Sequence, residues 1–376
     1  MTSGQHDAAM INHLRGQRWM ILDRQSCPLD QRPATGRTPV RNGLFAKHRP
    51  AIAANPFHNH ELTVQGRHAS SVGLSVGGRY TRCMHPPVRL VAIDVDGTLL
   101  PGYAKGLTPR TARALKSAQE AGVTVVLATG RRTAYTAPLL EGLGLRADMP
   151  LITSNGAVVR TLGGDAIDRS QMESRVARGL CKLLRPFGAL VFTFDRPGRG
   201  ELVLEDYAQL DGRIALWVEA NRNAIEIVKP LEDALLDGED PIQGMAAGSL
   251  HQMGEAEEAV KTSEWAGSCE CVRTAYPGRD LSILDLLPAG VSKGWALERL
   301  AARLGVDRKE TMAIGDNWND VDMLEWVGQG VMMGNAAMEL RTIAKMRGWK
   351  QAPPNDEDGV AVVLEQMLAR HDSAKV

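Results

Sequence analysis

Residues 91–100 read VAIDVDGTLL. The stretch begins as a continuous apolar run, the pattern of a strand covered on both faces. It then sets two aspartates, Asp94 and Asp96, one residue apart, followed by Gly97 and Thr98. Carboxylates at the end of a buried strand are costly unless something pairs with them. The rest of the sequence must supply the partner.

Outward from this run the pattern repeats. VRLVAIDV predicts a parallel strand. LTPRTARALKSAQEAG predicts a helix, with Thr108 as its cap, Pro109 in the first turn and Gly122 past its end. VTVVLATGR and PLITSNGA predict two further buried strands, with the helical RTAYTAPLLEGLG between them. This alternation implies a Rossmann-like, doubly wound α/β core, a parallel sheet with helices on its faces. AVVRTLGGDAIDR then predicts a hairpin around Gly163-Gly164.

After the hairpin the rhythm changes. Strands are expected in ALVFTF, AIEIVK, IQGMAAG, CECVRTA and LSILDLL, and helices over 171–185 and 255–266. The parallel pattern returns with helix VSKGWALERLAARLG, strand TMAIGD, helix DVDMLEWVG, strand GVMMG and helix NAAMELRTIAKM, and DGVAVVLEQMLAR closes the chain. The expected organisation is a core of residues 85–167 and 288–376, interrupted by an inserted α+β unit at 168–287.

Composition sets the outer bounds. The chain has 376 residues, 44% hydrophobic and 23% charged, with formal net charge zero. That is enough for a sizeable core and two domains. No global field favours nucleic acid, and no apolar stretch is long enough to span a bilayer. The five cysteines are scattered, and Cys269 and Cys271 stand too close for the usual zinc spacing. They read as strand residues of a protein in a reducing compartment, the cytoplasm. Periodicity leaves the oligomeric state open.

The zero charge hides an asymmetry. Residues 1–84 carry 11 Lys+Arg against 4 Asp+Glu, and six of the nine histidines. They show no sustained period. A disordered extension is expected there, or a start-site artefact with the natural start at Met84. A basic nucleic-acid arm and a transit peptide are the competing readings. No nucleic-acid partner is expected.

In an open parallel sheet, ligands collect at the carboxyl ends of the strands. Asp94 and Asp96 follow the first strand. Thr129 and Gly130 end the second, Ser154 and Asn155 the third. Asp316 ends TMAIGD, with Asn319 and Asp320 just beyond, and Lys293 opens the helix before that strand. Three or more crowded carboxylates need a counter-charge. Magnesium, which takes oxygen ligands and a phosphate, supplies one. Lysine, threonine, asparagine and strand-end amides are what a phosphate needs. The combination points to phosphoryl transfer, with one aspartate as nucleophile and the other as acid and base.

DVDGT, ATGR, the SKG lysine and GDNWND together resemble the four motifs of the haloacid dehalogenase-like superfamily. The NGA after the third strand, the large insert before SKG, and the tail GVMMGNAAMELRTIAK…DGVAVVLEQM resemble its Cof-type branch, with a class IIB cap. The resemblance covers about residues 88–370. It implies Asp94 as nucleophile and magnesium ligand, and Asp96 as general acid and base that lends the metal its backbone carbonyl. It implies Thr129, Gly130 and Lys293 around the phosphoryl group, and Asp316 as a metal ligand. Asn319 and Asp320 complete the metal and phosphate shell, and Asn155 and Gly156 match a position near the phosphate. The basic 1–84 segment departs from the family's pattern.

Taken singly, each motif also reads as ordinary structure. DVDGT is a strand-to-loop turn, Thr129-Gly130 a strand exit, Lys293 a solvated helix residue, GDNWND a turn. Four in order carry the reading. No GxGxxG follows the first strand and no GxxxxGK[ST] occurs. Trp217, Trp265 and Trp295 read as packing rather than substrate platforms, His251 as structural or exposed rather than a substrate contact, and ELVLEDYAQLDGR as a solvated turn rather than a specificity loop. The expected activity is magnesium-dependent hydrolysis of a small phosphorylated metabolite through an aspartyl-phosphate. The alternatives are a phosphotransferase or phosphomutase on the same core, and a non-catalytic metabolite-binding protein.

Overall fold

The computed structural model describes residues 86–101, 106–196, 198–235 and 238–373. The expectations for residues 1–84 lie outside the described residues. The strands, in chain order, are β1 (Leu90–Ile93), β2 (Thr124–Ala128), β3 (Pro150–Thr153), β4 (Val158–Thr161), β5 (Ala166–Arg169), β6 (Leu190–Thr193), β7 (Leu202–Leu204), β8 (Ile225–Ile227), β9 (Gln243–Gly248), β10 (Cys269–Tyr276), β11 (Leu281–Pro288), β12 (Thr311–Gly315), β13 (Gln329–Met332) and β14 (Lys350–Gln351). They form two sheets, ordered β14-β13-β12-β1-β2-β3-β4-β5 and β10-β11-β9-β6-β7-β8.

The first sheet is parallel from β14 to β3, and the β4–β5 hairpin extends it antiparallel. β1 lies inside it, with Leu90 paired to Thr124 on one side and Thr311 on the other. Its side chains divide between two cores. Val91 and Ile93 join Leu115, Leu127 and Leu364. Leu90 and Ala92 join Leu297, Leu300 and Met323. A strand with helices on both faces needs apolar residues at every position, hence the unbroken run in the sequence. The helix Pro109–Glu120 starts as expected, with Thr108 Oγ1 accepting from the Thr111 amide at 3.1 Å.

The second sheet is antiparallel except for the β7–β8 pair. One face packs on the helices Ser174–Leu184 and Leu250–Lys261 through Phe192, Leu284, Leu286, Leu180 and Met253. Polar and apolar contacts join it to the first sheet's segments. Ala157 and Val158 pack on Ile242, Leu287 and Val291. Arg132 pairs with Glu201 and donates to Asn221 Oδ1 at 2.6 Å, and the Tyr135 hydroxyl donates to the Ala220 carbonyl at 2.6 Å.

Three sequence expectations need correction. The helix expected over 255–266 is Leu250–Lys261, because Ser249 directly after β9 caps it and accepts from the Gln252 amide. The helix expected over 171–185 starts later, at Ser174. Gln171 instead donates its amide to the Asp240 carbonyl, and Asp240 Oδ1 accepts from the Ser174 amide. ELVLEDYAQLDGR is not a solvated turn throughout. Leu202–Leu204 is a buried strand held between β6 and β8. Helix Ala215–Asn221 has no counterpart among the expected elements. Trp217, Trp265 and Trp295 do pack against core clusters, and His251 is exposed beside Glu255.

Candidate active site

The strand order β12-β1-β2-β3 brings four carboxyl ends side by side. The Asp94 amide donates to the Ile314 carbonyl at 3.0 Å. The Thr129 amide donates to Ile152, and the Asn155 amide to Thr129. The backbone ladder itself thus sets Asp94, Thr129, Asn155 and Asp316 along one rim.

Asp94, Asp316 and Asp320 bring carboxylate oxygens to within 4.8 Å of one another. Lys293 stands among them, fully enclosed. Its Nζ donates to Asp94 Oδ1 and to Asp320 Oδ1, each at 2.7 Å. Ser292 caps its helix, Lys293–Arg303, accepting from the Trp295 amide, and so sets where the ammonium emerges. The other Asp320 oxygen accepts the amides of Asp316 and Asn317, both at 3.0 Å. Thr98 Oγ1 donates to Asp316 Oδ1 at 2.9 Å.

Gly97 is required at its position. Its φ is +88°, and a Cβ there would lie 2.4 Å from Asp316 Oδ2. The side-chain amides of Asn335 and Asn355 hold its carbonyl at 2.8 Å each.

The electrostatics follow from crowding. Burial, then the charge of Asp320, pushes Asp94 up to about 7 even though Lys293 opposes it. Burial and both neighbouring aspartates push Asp316 well above the ordinary carboxylate range. Burial pulls Lys293 down, but Asp320 and Asp94 outweigh it and its pKa rises. One ammonium does not balance three carboxylates, and hard oxygen donors packed this closely fit a small divalent cation.

The other expected residues border this trio. Thr129 is buried and its Oγ1 accepts from the Arg131 amide at 3.1 Å. Gly130 makes room for Asn155, whose amide would stand 3.1 Å from a Cβ there. Asn319 Nδ2 donates to Asn155 Oδ1 at 3.2 Å. The Asp96 carboxylate is not part of the trio. It turns to Arg131, which donates from Nε at 2.7 Å and from Nη2.

Sequence reasoning missed four residues here. Arg131 lies inside ATGR, two places after Thr129, so its position was visible but its partner was not. Arg132, next to it, reaches the second sheet at Glu201. Tyr276 ends β10, and its pKa is raised by burial and by the charges of Asp96, Asp285, Asp316 and Asp94. Asp285 on β11 is buried and accepts from Asn155 Nδ2 at 3.2 Å. Nothing in the sequence marks either β10 or β11 as facing the first sheet.

Residues 91–364 match the haloacid dehalogenase-like hydrolase family. The chain belongs to that family. Its motifs and inserted cap make it a Cof-type member and an enzyme of the phosphatase kind. It is 29% identical over 301 residues to the 5-amino-6-(5-phospho-D-ribitylamino)uracil phosphatase YwtE of Bacillus subtilis, covering 75% of this chain and 99% of that protein. It is 30% identical over 266 residues to an HMP-PP phosphatase of Escherichia coli O8, covering 67% of this chain and 86% of that one. Among solved structures, the phosphatase BT1666 from Bacteroides thetaiotaomicron has the same fold, with a TM-score of 0.62 at 23% identity, over 77% of this chain and 98% of that chain. Among the described residues of this family member, no helix is long and apolar enough to cross a membrane.

Proposed function

We propose that this hydrolase is a magnesium-dependent phosphomonoesterase for a small phosphorylated metabolite, a sugar phosphate or a phosphorylated cofactor. The observation that carries the reading is Asp94. It is a buried carboxylate at a strand end, balanced by Lys293, with two further aspartates at hand.

Asp94, Asp316 and Asp320 would hold the magnesium, and any part played by Asp96 falls to its backbone carbonyl. A bound magnesium ion supplies the positive charge that draws a phosphate dianion to this acidic rim. Thr129, Gly130, Asn155, Asn319 and Lys293 would hold the phosphoryl oxygens. A carboxylate oxygen of Asp94 attacks phosphorus in line, and the phosphorus–oxygen bond to the leaving alcohol breaks as the new one forms. Asp96, having first taken up a proton, gives it to the leaving oxygen. It then takes a proton from water, whose oxygen attacks phosphorus. The bond to Asp94 breaks, phosphate is released, and both aspartates return to their first state.

Residues 168–287 would act as a cap domain over a core of residues 85–167 and 288–376, excluding water and reading the leaving group. On β10, Tyr276 feels the charges of Asp96, Asp285, Asp316 and Asp94, which with burial raise its pKa. The relatives' names, a phosphoribityl compound and HMP-PP, support a small metabolite as substrate. The free cysteines Cys181, Cys269 and Cys271 support the cytoplasm as its location.

The test is release of inorganic phosphate from p-nitrophenyl phosphate and a panel of sugar phosphates and phosphorylated cofactors. Turnover is expected with magnesium and not with EDTA, and Asp94→Asn is expected to lose it by about a thousandfold or more. Formation of an isomeric phosphate ester without free phosphate would replace hydrolysis by a mutase reaction. Equal turnover in EDTA, or in the variant, would overturn the mechanism.

A further inference from the structure

β11 alternates along its length. Leu284 and Leu286 enter the core beneath the cap helices, while Leu287 packs on Ala157, Val158 and Ile242. Asp285 shares the Leu287 face, and it is buried there. A carboxylate in such surroundings needs every hydrogen bond it can make. It has two from amide groups. Gln243 Nε2 donates to Oδ1 at 2.7 Å and Asn155 Nδ2 to Oδ2 at 3.2 Å. Burial lifts its pKa to about 6, against those two hydrogen bonds.

Asn155 is held in an unusual backbone. Ser154, Asn155 and Gly156 have φ of +49°, +51° and +106° in succession. A Cβ at Gly156 would lie 2.2 Å from the Ser292 carbonyl oxygen, so this turn is pressed against the residue that caps the Lys293 helix. Left-handed conformations at two buried non-glycine residues persist only where the surroundings enforce them.

The direction of the amides now matters. A carboxamide donates at one end and accepts at the other, whereas an ionised carboxylate only accepts. Asp285 therefore fixes Asn155 with Nδ2 toward itself and Oδ1 away. That Oδ1 accepts from Asn319 Nδ2 at 3.2 Å, so the Asn319 amide is fixed in turn. The residue that sets the polarity lies on the cap sheet, and the amides it sets lie at two strand ends of the core sheet, one of them beside Asp320.

The geometry points to Asp285 as a positioning residue, which orients Asn155 and, through it, the Asn319 amide at the phosphate site. This inference rests on the reading in which Asn155 and Asn319 hold the phosphoryl group. Asp285→Asn has the same shape and still accepts from Gln243. It lets the Asn155 and Asn319 amides reverse, because no pure acceptor remains at the end of the relay. A contact that merely joined cap to core would tolerate the change.

The experiment is calorimetric titration with inorganic phosphate, in magnesium, of the wild type, Asp285→Asn, Asn319→Ala and the double variant, with a thermal melt to check that each is folded. Asp285→Asn is expected to weaken phosphate by about tenfold. The double variant is expected to lose less than the product of the two single losses, because part of the effect of Asp285 runs through Asn319. Unchanged affinity in Asp285→Asn, or losses that multiply in the double variant, would overturn the relay and leave the phosphate site standing. A wild type that binds no phosphate would overturn the phosphate site itself, and the relay with it.

Discussion

Arg131 grips Asp96 with both ends of its guanidinium, donating from Nε to Oδ2 and from Nη2 to Oδ1. The arginine side chain is 13% exposed and the aspartate 42%, so an enclosed cation anchors a carboxylate that faces the cleft. Because Arg131 follows Thr129 by two residues, the same turn that carries Thr129 also fixes Asp96. The fork geometry is what a lysine lacks. Arg131→Lys should lower kcat by about ten- to a hundredfold, the worth of charge-assisted hydrogen bonds, with a smaller change in KM. Steady-state kinetics decide it, and an unchanged kcat would mean that Asp96 is positioned by something else.

Lys293 bridges two buried aspartates at once. Lys293→Met leaves Asp94 and Asp320 enclosed without the ammonium. Breaking such a pair costs about 3–5 kcal/mol. Urea unfolding should show a loss of that order, partly recovered when magnesium is added. Wild-type stability in the variant would remove Lys293 as the counter-ion.

The pH dependence has a defined sign. Asp94 moves from 3.8 to about 7 in the folded protein. The folded state therefore keeps a proton that the unfolded state has released, and metal-free stability falls as pH rises from about 4 to about 7. A divalent cation binds the ionised carboxylates, so protons compete with it. The rise in melting temperature on adding magnesium should be large at pH 8 and shrink as pH falls through about 7. Asp316→Asn should abolish it at every pH. Equal gains at pH 6 and pH 8 would contradict the assignment of these aspartates to a metal.

Two glycines with similar backbone give an internal control. Gly97 and Gly122 have φ of +88° and +83°, but only at Gly97 would an added Cβ meet a neighbour within 4 Å, namely Asp316. Gly122→Ala should cost only the left-handed strain, about 1–2 kcal/mol, and keep the magnesium effect. Gly97→Ala should lose the magnesium-induced stabilisation, because the methyl group displaces the Asp316 carboxylate. Thermal melts with and without magnesium separate the two, and a normal magnesium effect in Gly97→Ala would contradict the placement of Asp316.

The first sheet was legible because its physics is local. A strand buried on both faces needs an unbroken apolar run, and β1 has one. Chain turns at strand ends carry their own signals, so Asp94, Thr129, Asn155 and Asp316 were visible as strand exits. The second sheet was less so. Leu202–Leu204 is three residues long, and its partners β6 and β8 are fixed by tertiary pairing. The helix expected from Glu255 starts at Leu250, because Ser249 caps it with no loop after β9. Asp285 lay in a segment correctly read as a strand, yet its partner Asn155 is 130 residues away. Period and composition carry no information about a contact at that separation. The same holds for Arg131 and Asp96, 35 residues apart.

The central claim is that Asp94 becomes covalently phosphorylated during turnover. Its most direct test is acid quenching during turnover of a phosphomonoester that the enzyme hydrolyses, followed by borohydride reduction and peptide mass mapping. An acyl phosphate at Asp94 would be reduced to homoserine, so homoserine is predicted at position 94 in the presence of magnesium and not in EDTA. An unmodified Asp94 under conditions of rapid turnover, or homoserine at a different aspartate, would contradict it.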